Sequence, residues 1–268
     1  MGALMLAANS LITLGGYDID IVVQGYPGKS VCHGGLGWST VALVRTRGET
    51  NERLALIDGG SFGMRRTLIE RLGGRSLAPR DVTDMLLTHA HHDHSVNWTL
   101  FSGARIVIGA QELDWSLSVP WGETPVAELY MKELKAWPTL HAARDGEEVF
   151  PGMTAQVAGG HTPGHLVFVL RGAQRDAIFS GDAAKNRAEM LSRAADMSYD
   201  ASATAASIEM LWKLWRSRPG NLLVPGHDMP MLLDEDGTIR YVGERQAAIR
   251  SWFADSIEQT TLIQLAAG

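Results

Sequence analysis

Along the first half of the chain, short apolar runs alternate with turns. Residues 18–23, 40–46 and 53–57 are rich in Val, Ile and Leu and are bounded by Gly or polar residues, which predicts strands. Residues 64–72 read as a helix closed by Gly73-Gly74. Residues 84–88 read as a short buried strand, and further strands are expected at 105–108, 153–158, 166–170, 177–180 and 221–224. Across 202–216, Ile208, Leu211, Trp212 and Trp215 recur at helical spacing until Pro219-Gly220 stops the helix. Residues 243–264 read as a C-terminal helix. Residues 111–140, dense in Trp and Pro, are expected to form a helical excursion, a lid outside the sheets. The order of elements predicts an α/β layered fold with sheets covered by helices. With no repeat, low-complexity run or linker, residues 1–268 read as one domain.

Composition narrows the class. Hydrophobic residues at 45% and charged residues at 20% are those of a globular enzyme, and the net charge of −6 argues against a nucleic-acid partner. The single cysteine, Cys32, excludes an internal disulfide and fits a reducing compartment. Residues 3–14 are apolar, but Asn9 and Ser10 interrupt them and no Lys or Arg precedes Lys29, unlike a secretion signal. No run approaches the roughly 18 apolar residues of a membrane span. A cytoplasmic protein with no membrane association is expected, and a homo-oligomer is left open.

The chemistry concentrates in Thr88-His89-Ala90-His91-His92-Asp93-His94, where His89, His91, Asp93 and His94 place four potential ligands within six residues. An H-x-H spacing is too short for one face of a helix, where ligands sit at i and i+4, and suits a loop curling around metal. Imidazole and carboxylate together favour zinc, iron or manganese over calcium. The competing reading, a polar turn with chance histidines, fits poorly with such a register directly after a buried strand. Three further segments repeat one design: Gly160-His161-Thr162-Pro163-Gly164-His165, Ser180-Gly181-Asp182 and Pro225-Gly226-His227-Asp228. Each puts a His or Asp just past the carboxyl end of an expected strand, beside a glycine that lets the backbone turn.

In these motifs, and over roughly residues 18–230, the chain resembles the metallo-β-lactamase superfamily, in particular its small stand-alone hydrolases of the lactonase and glyoxalase-II-like branch. The resemblance implies an αββα sandwich with two divalent transition metals at one edge, zinc first and manganese or iron as alternatives. It implies that one metal takes His89, His91 and His165, the other Asp93, His94 and His227, and that Asp182 bridges them. Asp58, in Leu56-Ile57-Asp58-Gly59-Gly60, falls where the family carries a buried Asp, and is expected to orient a ligand. His161 is expected to line the pocket or cap the turn, and His92 to point away. His33, Trp38, Trp115 and Trp121 are further candidates for the substrate pocket.

The mechanism implied is hydrolysis by hydroxide formed between two cations, with Asp93 shuttling the proton. Departures from relatives restrict the substrate. No cysteine stands among the ligand motifs, and only about 45 residues separate Asp182 from His227, too few for the inserted domain of the family's RNA-processing nucleases. Lys185 stands where acyl-homoserine lactonases carry a tyrosine. The Trp-rich excursion favours a small apolar or aromatic ester, lactone or activated ether, although aromatic residues also pack ordinary cores. A phosphodiesterase or ribonuclease of the same fold, and a mononuclear iron oxygenase, remain the alternatives.

Overall fold

The computed structural model describes residues 11–32, 34–48 and 52–265. The first half supplies β1 (Ile12–Leu14), β2 (Tyr17–Val23), a small ribbon of β3 (Lys29–Ser30) and β4 (Gly34–Gly35), then β5 (Val41–Thr46), β6 (Leu54–Ile57), β7 (Asp84–Leu86), β8 (Arg105–Gly109) and β9 (Leu140–Ala143). Apart from the ribbon, these form a seven-stranded mixed sheet in the order β1-β2-β5-β6-β7-β8-β9, parallel from β6 to β9. A second seven-stranded sheet joins β10 (Glu148–Phe150), β11 (Met153–Val157), β12 (Leu166–Leu170), β13 (Ala177–Gly181), β14 (Leu222–Pro225), β15 (Met231–Leu233) and β16 (Ile239–Tyr241) in sequence order, with β13 and β14 parallel.

The layering follows from alternation along the strands. In β12, Leu166, Phe168 and Leu170 enter the core between the sheets, whereas Val167 and Val169 face the outer helical layer. Successive side chains of a strand point to opposite faces, so a strand buried on both reads as an unbroken apolar run. Opposite β12 in the central core stand Ile19, Val44, Ile57, Leu86 and Val107 of the first sheet. The outer face of that sheet is covered by α1 (Arg65–Gly73), α3 (Ala110–Ser118) and α4 (Glu128–Lys135), α2 being the short turn His92–Ser95. The second sheet is covered by α5 (Arg187–Ser192) and α6 (Ala201–Arg216). Helix α6 starts where the Asp200 side chain accepts the Ala203 N–H, and its buried stripe is Ile208, Leu211, Trp212 and Trp215. The result is an αββα sandwich.

Two sequence expectations are corrected. The C-terminal stretch is not a helix over 243–264; β17 (Ala248–Ser251) and β18 (Thr261–Gln264) pair as an antiparallel ribbon. A helix there would need a surface for its apolar stripe, yet Trp252, Phe253 and Ile257 are exposed. The β-branched Thr260, Thr261 and Ile263 favour a strand, and Asp255-Ser256 favours a bend between the strands. The excursion is helical, as α3 and α4, but its last residue, Leu140, already belongs to edge strand β9. Among the described residues no helix is long and apolar enough to cross a membrane.

Candidate metal centre

Strands β6, β7, β13 and β14 all deliver their carboxyl ends to one edge of the sandwich, where loops of open α/β sheets bind ligands. There follow Asp58 after β6, the His89–His94 loop after β7, Asp182 after β13 and His227 after β14; the His161–His165 turn joins β11 to β12. Gly181, at φ +48°, permits the close approach that this convergence needs. A Cβ on it would stand 2.8 Å from His165 Nε2 and 2.7 Å from Thr88 Cβ.

Three overlapping groups have ligand atoms within 4.8 Å of one another: His89, His91 and His161; His89, His94 and Asp182; and Asp93, His94 and His227. His91 Nδ1 faces His161 Nε2 at 2.9 Å, and His94 Nε2 faces His227 Nε2 at 3.1 Å. Asp182 lies between the groups. Its Oδ1 is 3.3 Å from His94 Nε2 and 3.4 Å from His227 Nε2, while its Oδ2 is 3.3 Å from His161 Nε2. Asp93 Oδ2 closes the far side, 3.4 Å from His227 Nε2 and 3.6 Å from His94 Nε2.

The expectation for the two histidines of the turn is reversed by this geometry. His161, not His165, joins His89 and His91. His165 Nε2 instead accepts the Asp182 backbone N–H at 3.0 Å, so the ring supports Asp182 from behind. Asp58 grips the centre from beneath: Oδ2 is 2.8 Å from His94 Nδ1, and Oδ1 accepts the Thr88 N–H at 2.8 Å. Thr88 Oγ1 in turn meets His89 Nδ1 at 3.0 Å, which leaves Nε2 of His89 for a ligand.

The donor set suits a divalent cation. His89 Nε2 and Asp182 Oδ1 are buried with no hydrogen-bond partner among the described residues, a cost that metal coordination would remove. Burial pushes His91 down to about 4 and His165 to about 3, and holds His89 and His161 well below the ordinary imidazole range, so all four rings are neutral, and His89, His91 and His161 are in the form that ligates a metal. Burial opposes charge on His94 as well, but Asp182, Asp93 and Asp58 together raise it well above its usual value. His227 is raised for the same reason, chiefly by Asp182.

Of the substrate candidates, Trp115 lies beside the centre, its ring centroid 6.3 Å from that of His91. Trp38 stacks on Tyr26 at 4.9 Å and donates to the Gln24 carbonyl, a packing role at the base of the β3–β4 ribbon. Trp121 is exposed and stands under the Lys132 ammonium. His92 is exposed, and His33 lies outside the described residues. Sequence reasoning missed Tyr199, whose ring packs 5.8 Å from Trp115 and whose N–H donates to the His161 carbonyl. It also missed the supports Glu112 and Asp228. Asp228 is buried and takes Arg245 at 2.6 Å and Tyr241 at 3.0 Å, anchoring the residue next to His227. Only the position of Asp228 beside a motif histidine could have signalled it; nothing in the pattern marks Glu112 or Tyr199.

The model of the metallo-beta-lactamase superfamily matches residues 35–227. Metallo-beta-lactamase domain-containing protein 1 of Rattus norvegicus is 30% identical over 158 residues, which are 48% of this chain and 61% of that protein, so the chain spans less than two thirds of the relative's length. Among solved structures, AidC, a dizinc quorum-quenching lactonase, superposes with a TM-score of 0.69 at 19% identity, covering 90% of this chain and 98% of that one. An AiiA variant of B. thuringiensis with N-decanoyl-L-homoserine bound at its active site gives a TM-score of 0.61 at 16% identity, over 81% of this chain and 94% of that one. At such identities the likeness is one of fold. With the family model spanning most of the chain and the histidine–aspartate cluster assembled at its edge, the protein belongs to the metallo-beta-lactamase superfamily.

Proposed function

We propose that the protein is a dinuclear metal-dependent hydrolase of a small, largely apolar or aromatic ester, lactone or activated ether. The observation that carries the two-metal reading is the placing of Asp182, with Oδ1 toward His94 and His227 and Oδ2 toward His161. One cation would be held by His89, His91 and His161, the other by Asp93, His94 and His227, with Asp182 shared. Zinc suits this N/O set best, and manganese or iron are the alternatives. Bound there, the pair would supply an activated water at neutral pH and positive charge for a developing oxyanion.

The protein's own residues do the rest. Asp58 fixes the His94 ring, and His165 fixes the Asp182 backbone. The Asp93 carboxylate keeps 25% of its surface exposed, against 0% for His94 and 5% for Asp182, which supports a role for it in carrying a proton toward a leaving group. Trp115 and Tyr199 form an aromatic wall beside His91, suited to an acyl or aryl portion. Residues 111–140 carry five Asp or Glu against two Lys, which gives no steering to a polyanion. The AidC structure contains a homoserine product, in keeping with lactone chemistry on this scaffold. A cytoplasmic setting is part of this proposal, supported by the single cysteine, Cys32, which fits a reducing compartment.

The test pairs elemental analysis with a substrate panel. Two transition metals per chain are expected after reconstitution, with kcat/KM highest for neutral carboxyl esters or lactones. One metal that stays one after reconstitution ends the two-metal reading. Phosphodiesters winning by more than about tenfold, about 1.4 kcal/mol in transition-state stabilisation, replace the carbonyl substrate with a phosphoryl one.

A further inference from the structure

Helix α3 begins at Ala110, and in its first turn stands Glu112, fully buried. The carboxylate does not cap its own helix. Its Oε1 accepts the Ala90 N–H at 2.9 Å, and its Oε2 accepts the Thr162 hydroxyl at 2.8 Å and the Gly164 N–H at 3.1 Å. Ala90 lies between His89 and His91, and Thr162 follows His161. One side chain therefore joins the two loops that carry the His89, His91 and His161 group.

The junction is built backbone to backbone. A Cβ on Gly164 would stand 2.1 Å from Glu112 N, and a Cβ on Gly109 would stand 2.7 Å from the Gly164 carbonyl oxygen. The second glycine of Gly160-His161-Thr162-Pro163-Gly164-His165 thus serves the seating of α3 against the turn. Three residues further along α3, Trp115 packs on His91. The side of α3 that meets the aromatic wall is held to the ligand loops through Glu112.

We infer that Glu112 is a positioning residue: its carboxylate sets His91 against His161 and ties both to the helix that bears Trp115. The inference rests on the reading of the cluster as a metal centre. Glu112 is too deeply enclosed to touch substrate, so its effect passes through the two loops. An oxygen at each position is required. Glu112→Gln keeps the shape but turns an NH2 toward either Ala90 N–H or the Thr162 and Gly164 donors, where two donors then meet. The displacement falls on the His89, His91 and His161 group and spares Asp93, His94 and His227.

The experiment uses the full chain, made metal-free, with two readouts: chelator competition for zinc, and the absorption spectrum on cobalt substitution. Wild type should take two metals. Glu112→Gln should lose about 10–100-fold in affinity at one site, the range for groups that orient a ligand, with the other unchanged and the cobalt bands shifted. A purely structural role would lower the melting temperature of the metal-free protein and leave both affinities and the spectrum alone; that result overturns the inference. Should Glu112→Gln fail to fold, Thr162→Val removes one donor only, and should weaken the same site by a smaller factor. Unchanged affinity and spectrum in that variant also overturn it. Wild type that binds no metal would remove the metal-centre reading and this inference with it, an outcome distinct from two-metal wild type with an indifferent Glu112→Gln.

Discussion

His161 Nε2 stands 2.9 Å from His91 Nδ1, two buried imidazole nitrogens aimed at each other at the edge of the sandwich. Both rings are held neutral by burial, so the pair presents lone pairs where a cation would gather them. His165, four residues on, has turned its Nε2 to the Asp182 N–H.

The first expected outcome follows from that contrast. His161→Ala should lose the metal held with His89 and His91 and lose activity by more than the 10–100-fold typical of residues that only orient a ligand. His165→Ala should keep both metals while activity falls within that range, because the Asp182 loop loses a hydrogen bond rather than a ligand. Metal content per chain and kcat/KM of the two variants decide it; the opposite pattern would restore His165 as the ligand.

Why the sequence pointed to His165 rather than His161 is a matter of what a turn conceals. His161 and His165 flank the same Thr-Pro-Gly turn, and both are buried on folding. Which ring reaches the centre depends on where β11 ends and β12 begins, and on the seating of α3 against Gly164, neither of which is written in the spacing. The strands were legible wherever period-two alternation met burial, as in β12, and α6 was legible from its stripe. Edge strand β9 was not, since Leu140-His141-Ala142-Ala143 is only partly buried and carries little pattern. The C-terminal ribbon failed for a related reason: its apolar residues fit a helical stripe, and only the absence of a covering surface tells against one. Asp58 was legible through the resemblance, which carries a buried Asp at the position of Leu56-Ile57-Asp58-Gly59-Gly60.

A second outcome concerns Asp58 itself. Its backbone sits at φ +56°, a conformation that Asp and Asn tolerate better than other residues with side chains. Asp58→Asn therefore keeps the turn, retains an oxygen for the Thr88 N–H, and removes the charge facing His94 Nδ1. Zinc affinity at the site containing His94 should fall about 10–100-fold, with the melting temperature of the metal-free protein little changed. Zinc affinity equal to wild type, read by chelator competition, would mean that the His94 ring is oriented by its packing alone.

The last outcome is a proton count. In the metal-free protein His94 is raised well above the ordinary imidazole range: burial opposes this, and Asp182, Asp93 and Asp58 outweigh it. His227 is raised too, mainly by Asp182. At pH 7 the His94 ring therefore holds a proton that a metal must displace, because only an unprotonated nitrogen ligates, and the raised His227 adds to the same pH dependence. His89, His91 and His161 sit below the usual range and have nothing to release at that pH. The sign follows: apparent zinc affinity should rise with pH through the raised values of His94 and His227 and flatten above them. Titration calorimetry at pH 7 in two buffers of different ionisation enthalpy should show a net release of protons as the centre fills. Asp58→Asn should release fewer, since one of the carboxylates that hold the His94 proton is gone. Heats independent of the buffer at pH 7 would mean that His94 and His227 are already neutral, and that the carboxylates around them are balanced by another charge.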